Sequence, residues 1–133
     1  MNVTGGCHCG NIRFEAEVDP SVVSICHCTD CQTLSGSPYR VSVRTPADRV
    51  RFSGGEPAVY IKVADSGNRR AQTFCPACGT PIYASNEHDR SILTLRLGAI
   101  HQRADLAPKR RIWHRSALPW SEDVSVIPAV ERE

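Results

Sequence analysis

No apolar run in this chain approaches the roughly 20 residues that a membrane-spanning helix needs. The first residues, Met1 to Gly6, lack the charged and apolar regions of a signal peptide, so the expected compartment is the cytoplasm and no membrane partner is expected. There is no internal repeat, no low-complexity tract and no linker that would divide the chain. Its 133 residues therefore read as a single domain, 1–133. No Ser-His-Asp set, phosphate loop or carboxylate pair stands out, which leaves the common hydrolase and phosphate-transfer chemistries without their residues. Helical periodicity is nearly absent as well. The one plausible helical turn, Thr29 to Ser35, is too short to stand alone.

What is present is a period of two. In Ile12-Arg13-Phe14-Glu15-Ala16-Glu17-Val18, apolar and polar residues alternate strictly, as in a half-buried strand that Asp19-Pro20 ends. Further strands are expected at Ser21 to Ile25, Tyr39 to Val43, Val50 to Phe52, Arg70 to Phe74, Pro81 to Ala84, Ile92 to Leu97 and Arg111 to His114. Val59, Ile61 and Val63 share one face of another, and Val124 to Ile127 reads as the last. Turn signals between these pieces argue a mainly β assembly of short antiparallel strands with few short helical turns. The charged tail, Ala129 to Glu133, is expected to fray.

The informative residue is cysteine. There are seven, an odd number, so a fully paired disulfide framework leaves one over. They fall in three clusters: Cys7-His8-Cys9 among glycines, Cys26-His27-Cys28-Thr29-Asp30-Cys31, and Cys75-Pro76-Ala77-Cys78-Gly79. The last is a zinc knuckle by its chemistry, since two residues between thiolates let both sulfurs converge on one ion about 2.3 Å away. A redox reading of that C-x-x-C is weak because no helix pattern follows and Pro81 comes soon after. The knuckle needs two more ligands, and Cys7 with Cys9 close a four-thiolate structural site. Cys26, Cys28 and Cys31 remain, and three protein ligands are the pattern of a catalytic zinc. The expected cofactor is thus zinc, two ions per chain, one structural and one catalytic.

In each C-x-C the middle residue tends to point away, so His8 and His27 are expected outside the ligand sets. Asp30 is a candidate fourth ligand of the three-Cys site, with a solvated turn residue as the commoner role. His88, His101 and His114 read as surface or supporting groups. Seven thiolates and two zinc ions would move the formal charge from +2 to −1, so a nucleic-acid partner is not expected. Three thiolates leave a zinc site at −1, which suits thiolate exchange better than carbonyl activation unless nearby donors compensate. Arg40 and Arg44 follow the cluster and are candidates for that positive charge, solvated surface being their commoner fate. Buried core is the default for the two Trp residues, with a pocket wall as the other reading.

The motifs Gly6-Cys7-His8-Cys9-Gly10, Cys26-His27-Cys28-Thr29-Asp30-Cys31, Ser35-Gly36-Ser37-Pro38, Phe74-Cys75-Pro76-Ala77-Cys78-Gly79-Thr80, Leu97-Gly98-Ala99 and Trp113-His114-Arg115-Ser116-Ala117-Leu118-Pro119-Trp120 resemble the glutathione-dependent formaldehyde-activating enzyme family, which includes the centromere protein V group. The resemblance implies a zinc-binding β-tent fold. It also implies structural zinc on Cys7, Cys9, Cys75 and Cys78 and catalytic zinc on Cys26, Cys28 and Cys31. The implied activity is that of a carbon–sulfur lyase on a small thiol–aldehyde adduct, forming S-(hydroxymethyl)glutathione from formaldehyde and glutathione. The implied partner is a small-molecule thiol such as glutathione. The competing reading is a non-catalytic, zinc-stabilised binding module whose Lys109-Arg110-Arg111 and Trp113 contact a protein or nucleic acid. A fourth protein ligand at the three-Cys site would favour it.

Overall fold

Alternation along the strands decides which side of each sheet is buried. The computed structural model describes residues 1–133. It is mainly β, 41% strand and 22% helix, the latter one α-helix and short 3-10 turns. The strands are β1 (Asn2–Gly6), β2 (Ile12–Glu17), β3 (Val23–Cys26), β4 (Arg40–Pro46), β5 (Val50–Gly54), β6 (Ala58–Val63), β7 (Arg69–Phe74), β8 (Pro81–Asn86), β9 (Ile92–Arg96) and β10 (Arg110–Ile112). A three-stranded sheet runs β1-β2-β5, and a seven-stranded sheet runs β10-β3-β4-β9-β8-β7-β6. Every pairing is antiparallel except the outermost, β10 on β3, which is parallel.

The two sheets share one core. Ile12, Phe14 and Ala16 alternate inward on β2, as their spacing predicts, and cluster with Val23, Val43, Leu93 and Leu95 of the larger sheet. All of these larger-sheet residues carry odd numbers, and each fully buried aliphatic side chain contributes roughly 1.5–3 kcal/mol. The opposite face of the seven-stranded sheet carries Arg40, Arg44, Lys62, Arg70 and Arg96 beside Ala84, Ile92 and Ile112.

The predicted helical turn is α1 (Thr29–Ser35). Its N-terminus is capped by the Cys28 sulfur, which accepts the Cys31 amide at 3.3 Å. Two ties hold this seven-residue helix: Gln32 Nε2 donates to the carbonyls of His27 and Ser116, and Asp30 pairs with Lys62 of β6 at 2.9 Å. In the sheet order β3 and β6 are five strands apart, about 24 Å if the sheet were flat. A helix that starts two residues after β3 and is only about 10 Å long touches β6, so the sheet curls around its even face.

Two expectations fail here, and one strand lies outside those expected. Val124 to Ile127 is no strand. Val124–Val126 is a 3-10 turn started by the Asp123 side chain, and no strand lies beside it to pair with. β1 was not foreseen, because Gly5 and Gly6 carry no strand signal. Gly5 is there because a Cβ would sit 2.3 Å from both the Phe14 ring and the Ala99 carbonyl. The tryptophans are not core, since Trp113 and Trp120 are 50% and 57% exposed.

Candidate metal centres

The turn after β1 places Cys7 and Cys9 beside the turn between β7 and β8, which carries Cys75 and Cys78. The four sulfurs lie within 4.8 Å of one another. Cys9 Sγ is 3.6 Å from Cys7 Sγ and 3.8 Å from Cys75 Sγ, and all seven thiols of the chain are free. Sulfurs on a tetrahedron around zinc, each about 2.3 Å from it, lie about 3.8 Å apart, whereas a disulfide needs about 2.05 Å. The separations therefore fit an ion between the thiols and not a bond between them.

The surroundings also suit thiolate. The Ile12 amide donates to Cys7 Sγ at 3.2 Å, and Thr80 Oγ1 lies 3.2 Å from Cys78 Sγ. Thr80 Oγ1 also accepts the His8 amide at 3.0 Å, so one hydroxyl links both cysteine turns. Gly79 turns the chain after Cys78 with φ 79°, a conformation that glycine adopts without penalty. The Thr80 hydroxyl, with backbone amides, pulls the Cys78 thiol down to about 5. The Asn11 amide pulls on Cys9 in the same direction, but Cys7 and the other crowded thiols push it up to about 11. Converging sulfurs without a cation cannot all ionise, and a divalent ion removes that conflict.

Cys26, Cys28 and Cys31 form the second cluster, at the end of β3, at the helix cap and in the first turn of α1, again with sulfurs within 4.8 Å. The neighbouring Cys31 thiol holds Cys26 below the usual thiol range, and the same neighbour relation with burial pushes Cys31 above it. No His, Asp or Glu joins either group. Asp30, the candidate fourth ligand, is committed to Lys62. His27 is buried and turned away, its ring edge-on to Tyr39 and His114 at 5.4 and 5.7 Å with neither nitrogen hydrogen-bonded. Burial, with His114 and Arg111 nearby, lowers its pKa. His88, His101 and His114 are exposed, as expected, and so is His8. Both clusters thus offer sulfur alone, a donor set compatible with zinc.

The two clusters open on different surroundings. The three-Cys cluster lies in a cleft of about 590 Å³ on the concave face of the large sheet. Every strand residue lining that cleft carries an even number, because antiparallel register sets Cys26 opposite Arg40, Ser42 opposite Arg96, Arg44 opposite Thr94 and Arg70 opposite Asn86. Six cations line it, Arg40, Arg44, Lys62, Arg70, Arg96 and Arg110, against the single carboxylate of Asp89. Lys62 alone has a carboxylate partner, and the five arginines have none within 4.0 Å. Arg40 is 6% and Arg96 9% exposed, so the surface role expected for Arg40 is overturned, and each keeps an unpaired Nε. Arg96 donates only to neutral oxygens, Ser42 Oγ at 3.1 Å and Gln72 Oε1 at 2.6 Å. Burial, then Arg40, pushes Arg96 down to about 9, while the thiols of Cys31 and Cys26 act to raise it.

The sequence profile of one family, described as glutathione-dependent formaldehyde-activating enzyme, matches residues 2–116. The chain belongs to this family. It is 29% identical over 90 residues to a Halomonas elongata protein whose name provisionally assigns it glutathione-dependent formaldehyde activation. That match covers 62% of this chain and 55% of the relative, so the chain spans about half the length of the relative it matches. A crystal structure of a Rhodobacter sphaeroides structural-genomics protein shares the fold, with TM-score 0.62 and 16% identity over 81% of this chain and 98% of that one.

The family's cysteine spacing was visible in the sequence, and the structure brings all seven thiols into two groups. Arg70 and Arg96 were missed as cleft residues, whereas Trp113 takes the pocket-wall role that was the second reading for the tryptophans. Arg70 and Arg96 come from β7 and β9, far in sequence from Cys26, Cys28 and Cys31, and only strand register delivers them to that cluster's cleft. Trp113 had a local signal, an aromatic directly after the Arg111 to Ile112 run. It lines the cleft in a left-handed conformation, φ 54°, the one non-glycine residue with positive φ.

Proposed function

We propose that this chain is a zinc-dependent carbon–sulfur lyase that joins a small thiol to an aldehyde, with S-(hydroxymethyl)glutathione from formaldehyde and glutathione as the named reaction. Cys7, Cys9, Cys75 and Cys78 would hold a structural ion. Cys26, Cys28 and Cys31 would hold the catalytic one. The observation that carries this reading is that the three-Cys cluster faces a cleft and has no fourth protein ligand, whereas the four-Cys cluster is complete. A non-catalytic module would close both, and Arg111, one of its basic contacts, is engaged by Glu122 at 2.7 Å.

The bond accounting is simple. The thiol loses its proton, a sulfur lone pair forms the S–C bond at the aldehyde carbon, the carbonyl π pair moves to oxygen, and that oxygen takes a proton. Zinc, when bound, supplies positive charge that favours the thiolate form of a thiol brought beside it. The chain's own contribution is electrostatic. Arg40 stands opposite Cys26 in the register, and Arg96 lies beside Arg40, so two buried guanidinium groups offset the charge of three cysteine thiolates. With thiol and aldehyde in the cleft, the same pair would stabilise the negative charge as it moves from sulfur to oxygen. The Ser42 hydroxyl and the Gln72 amide hold Arg96 in place.

In NMR magnetisation-transfer experiments, zinc-replete protein is expected to accelerate exchange between formaldehyde, glutathione and their adduct. Cys28→Ser is expected to abolish the acceleration with the circular dichroism unchanged. Absence of acceleration by protein carrying two zinc ions would remove glutathione as substrate.

A further inference from the structure

Two apolar surfaces of this chain lie uncovered, away from the cysteine cleft. The first is a groove of about 400 Å³ between β5 of the small sheet and β6 to β8 of the large one. Both β5 and β6 are edge strands, with no further strand beyond them. Ile12 and Ile82 of the core form its floor, and Phe52, Tyr83 and Val59 its walls. The Phe52 and Tyr83 rings lie 5.2 Å apart, and Phe52 and Val59 are each 42% exposed. Thr73 also lines the groove, buried, and its hydroxyl has no hydrogen-bond partner. A buried donor left unpaired costs free energy, which an incoming carbonyl oxygen removes. The second surface is the C-terminal segment that follows Glu122. Val124, Val126, Ile127 and Val130 are 52% to 77% exposed, and none of them lines the groove of its own chain. Their order has a period of three. The Ile127 amide donates to the Val124 carbonyl at 3.1 Å, closing a 3-10 turn in which residues three apart share a side. Ile127 stands at φ −86°, ψ 134°, the extended form that Pro128 favours in the residue before it. Continued as polyproline II, which also has three residues per turn and leaves its carbonyls free, the chain puts Val130 on the side of Ile127. Val124, Ile127 and Val130 then make one apolar ridge.

We propose that the groove between β5 and β6 receives the Val124–Val130 ridge of a second copy of this chain, in a twofold exchange of C-terminal segments. Extended segments containing proline seat in aromatic-lined grooves, and this chain carries both halves of such a contact. Charge favours a second copy as the occupant. Arg90 and Glu56 at the groove have no ion-pair partner, and neither have Glu131, Arg132 and Glu133, which follow the ridge. Each surface therefore offers the other both signs of charge. Size agrees as well. In an exchange each copy contributes residues 123–133 and the twelve residues of the groove, within the about 20–30 residues per side of a stable interface. The groove shares no residue with the cleft beside Cys26, so the proposal is independent of the lyase reading.

The test is sedimentation equilibrium of the zinc-loaded full chain across the micromolar range, where wild type is expected to dimerise. Ile127→Asp on the segment and Val59→Asp in the groove are each expected to weaken dimerisation at least about tenfold, since each sets an unpaired carboxylate into the apolar contact. Both positions are exposed in the single chain, so both variants are expected to keep the wild-type circular dichroism and zinc content. An equal mixture of the two is expected to associate more tightly than either alone, because the intact segment of one meets the intact groove of the other. No other dimer predicts that recovery. A monomeric wild type would overturn the proposal and leave the groove to the chain's own segment or to another protein. A dimer that either variant retains at wild-type strength, or a mixture that fails to recover, would overturn the exchange.

Discussion

Single positions carry unequal weight. At Gly5 there is no room for even a methyl group, since one of the two obstructing atoms is backbone, the Ala99 carbonyl oxygen. Gly5→Ala is therefore expected to destabilise the fold by about 1–3 kcal/mol, the cost of overpacking a tight contact. Equilibrium urea unfolding checks it, and an unchanged midpoint would mean that β1 and the Leu97–Ala99 turn do not approach so closely. His27 shows the converse. It sits between two clustered cysteines in sequence and takes no part in either sulfur cluster, because its ring packs between Tyr39 and His114. The pattern C-x-C settles which way two sulfurs face and, by the same stroke, which way the middle side chain does not.

At the scale of elements, the C-terminal arm depends on one carboxylate. Glu122 Oε2 accepts from Arg111 Nη1 at 2.7 Å, and its Oε1 pairs with His114 Nε2 at 2.7 Å, which ties the 3-10 turn Pro119–Glu122 to β10. Arg111, then His114, hold the Glu122 carboxyl below its ordinary 4.5. A carboxyl lowered on folding stabilises the arm above that ordinary value, and the contribution disappears as pH falls through the lower folded one. Glu122→Gln is expected to release the arm at pH 7, seen as a shift in tryptophan emission, while wild type keeps the arm docked through pH 5. Identical emission in both proteins at pH 7 would show that Glu122 does not hold the arm.

The strands themselves were largely legible. In β2 the alternation Ile12-Arg13-Phe14 names the buried face directly, whereas in β4 it names the core side of Val41 and Val43 but not the burial of Arg40 and Ser42 on the other side. What was not legible was which polar faces meet. Arg44, Arg70 and Arg96 belong to three strands, and their convergence is a property of register, which no local window contains. Val124 to Ile127 failed for the same reason, since β-branched residues make a strand only where a neighbour pairs with them.

For the whole molecule, the two cysteine clusters brace very different lengths of chain. The four-Cys cluster joins Cys7 to Cys78, and the three-Cys cluster spans only Cys26 to Cys31. Structural zinc contributes about 10–16 kcal/mol of apparent binding free energy in small peptides, more than the roughly 5–15 kcal/mol net stability of a typical domain. Chelator titration is therefore expected in two steps: early release of one zinc with the β signal retained, then release of the second with its loss. Cys31→Ser is expected to stay folded and Cys78→Ser to unfold or precipitate, and the reverse result would exchange the two roles. The parallel seating of β10 on β3 has a further consequence, for the order of events on the ribosome. All seven cysteines have been synthesised once Cys78 emerges, but the strand that flanks Cys26 and the tryptophan that walls its cleft end at residue 113. At about 5–20 residues per second, the nascent chain spends roughly two to seven seconds with every cysteine synthesised and the cleft beside Cys26 still lacking one side.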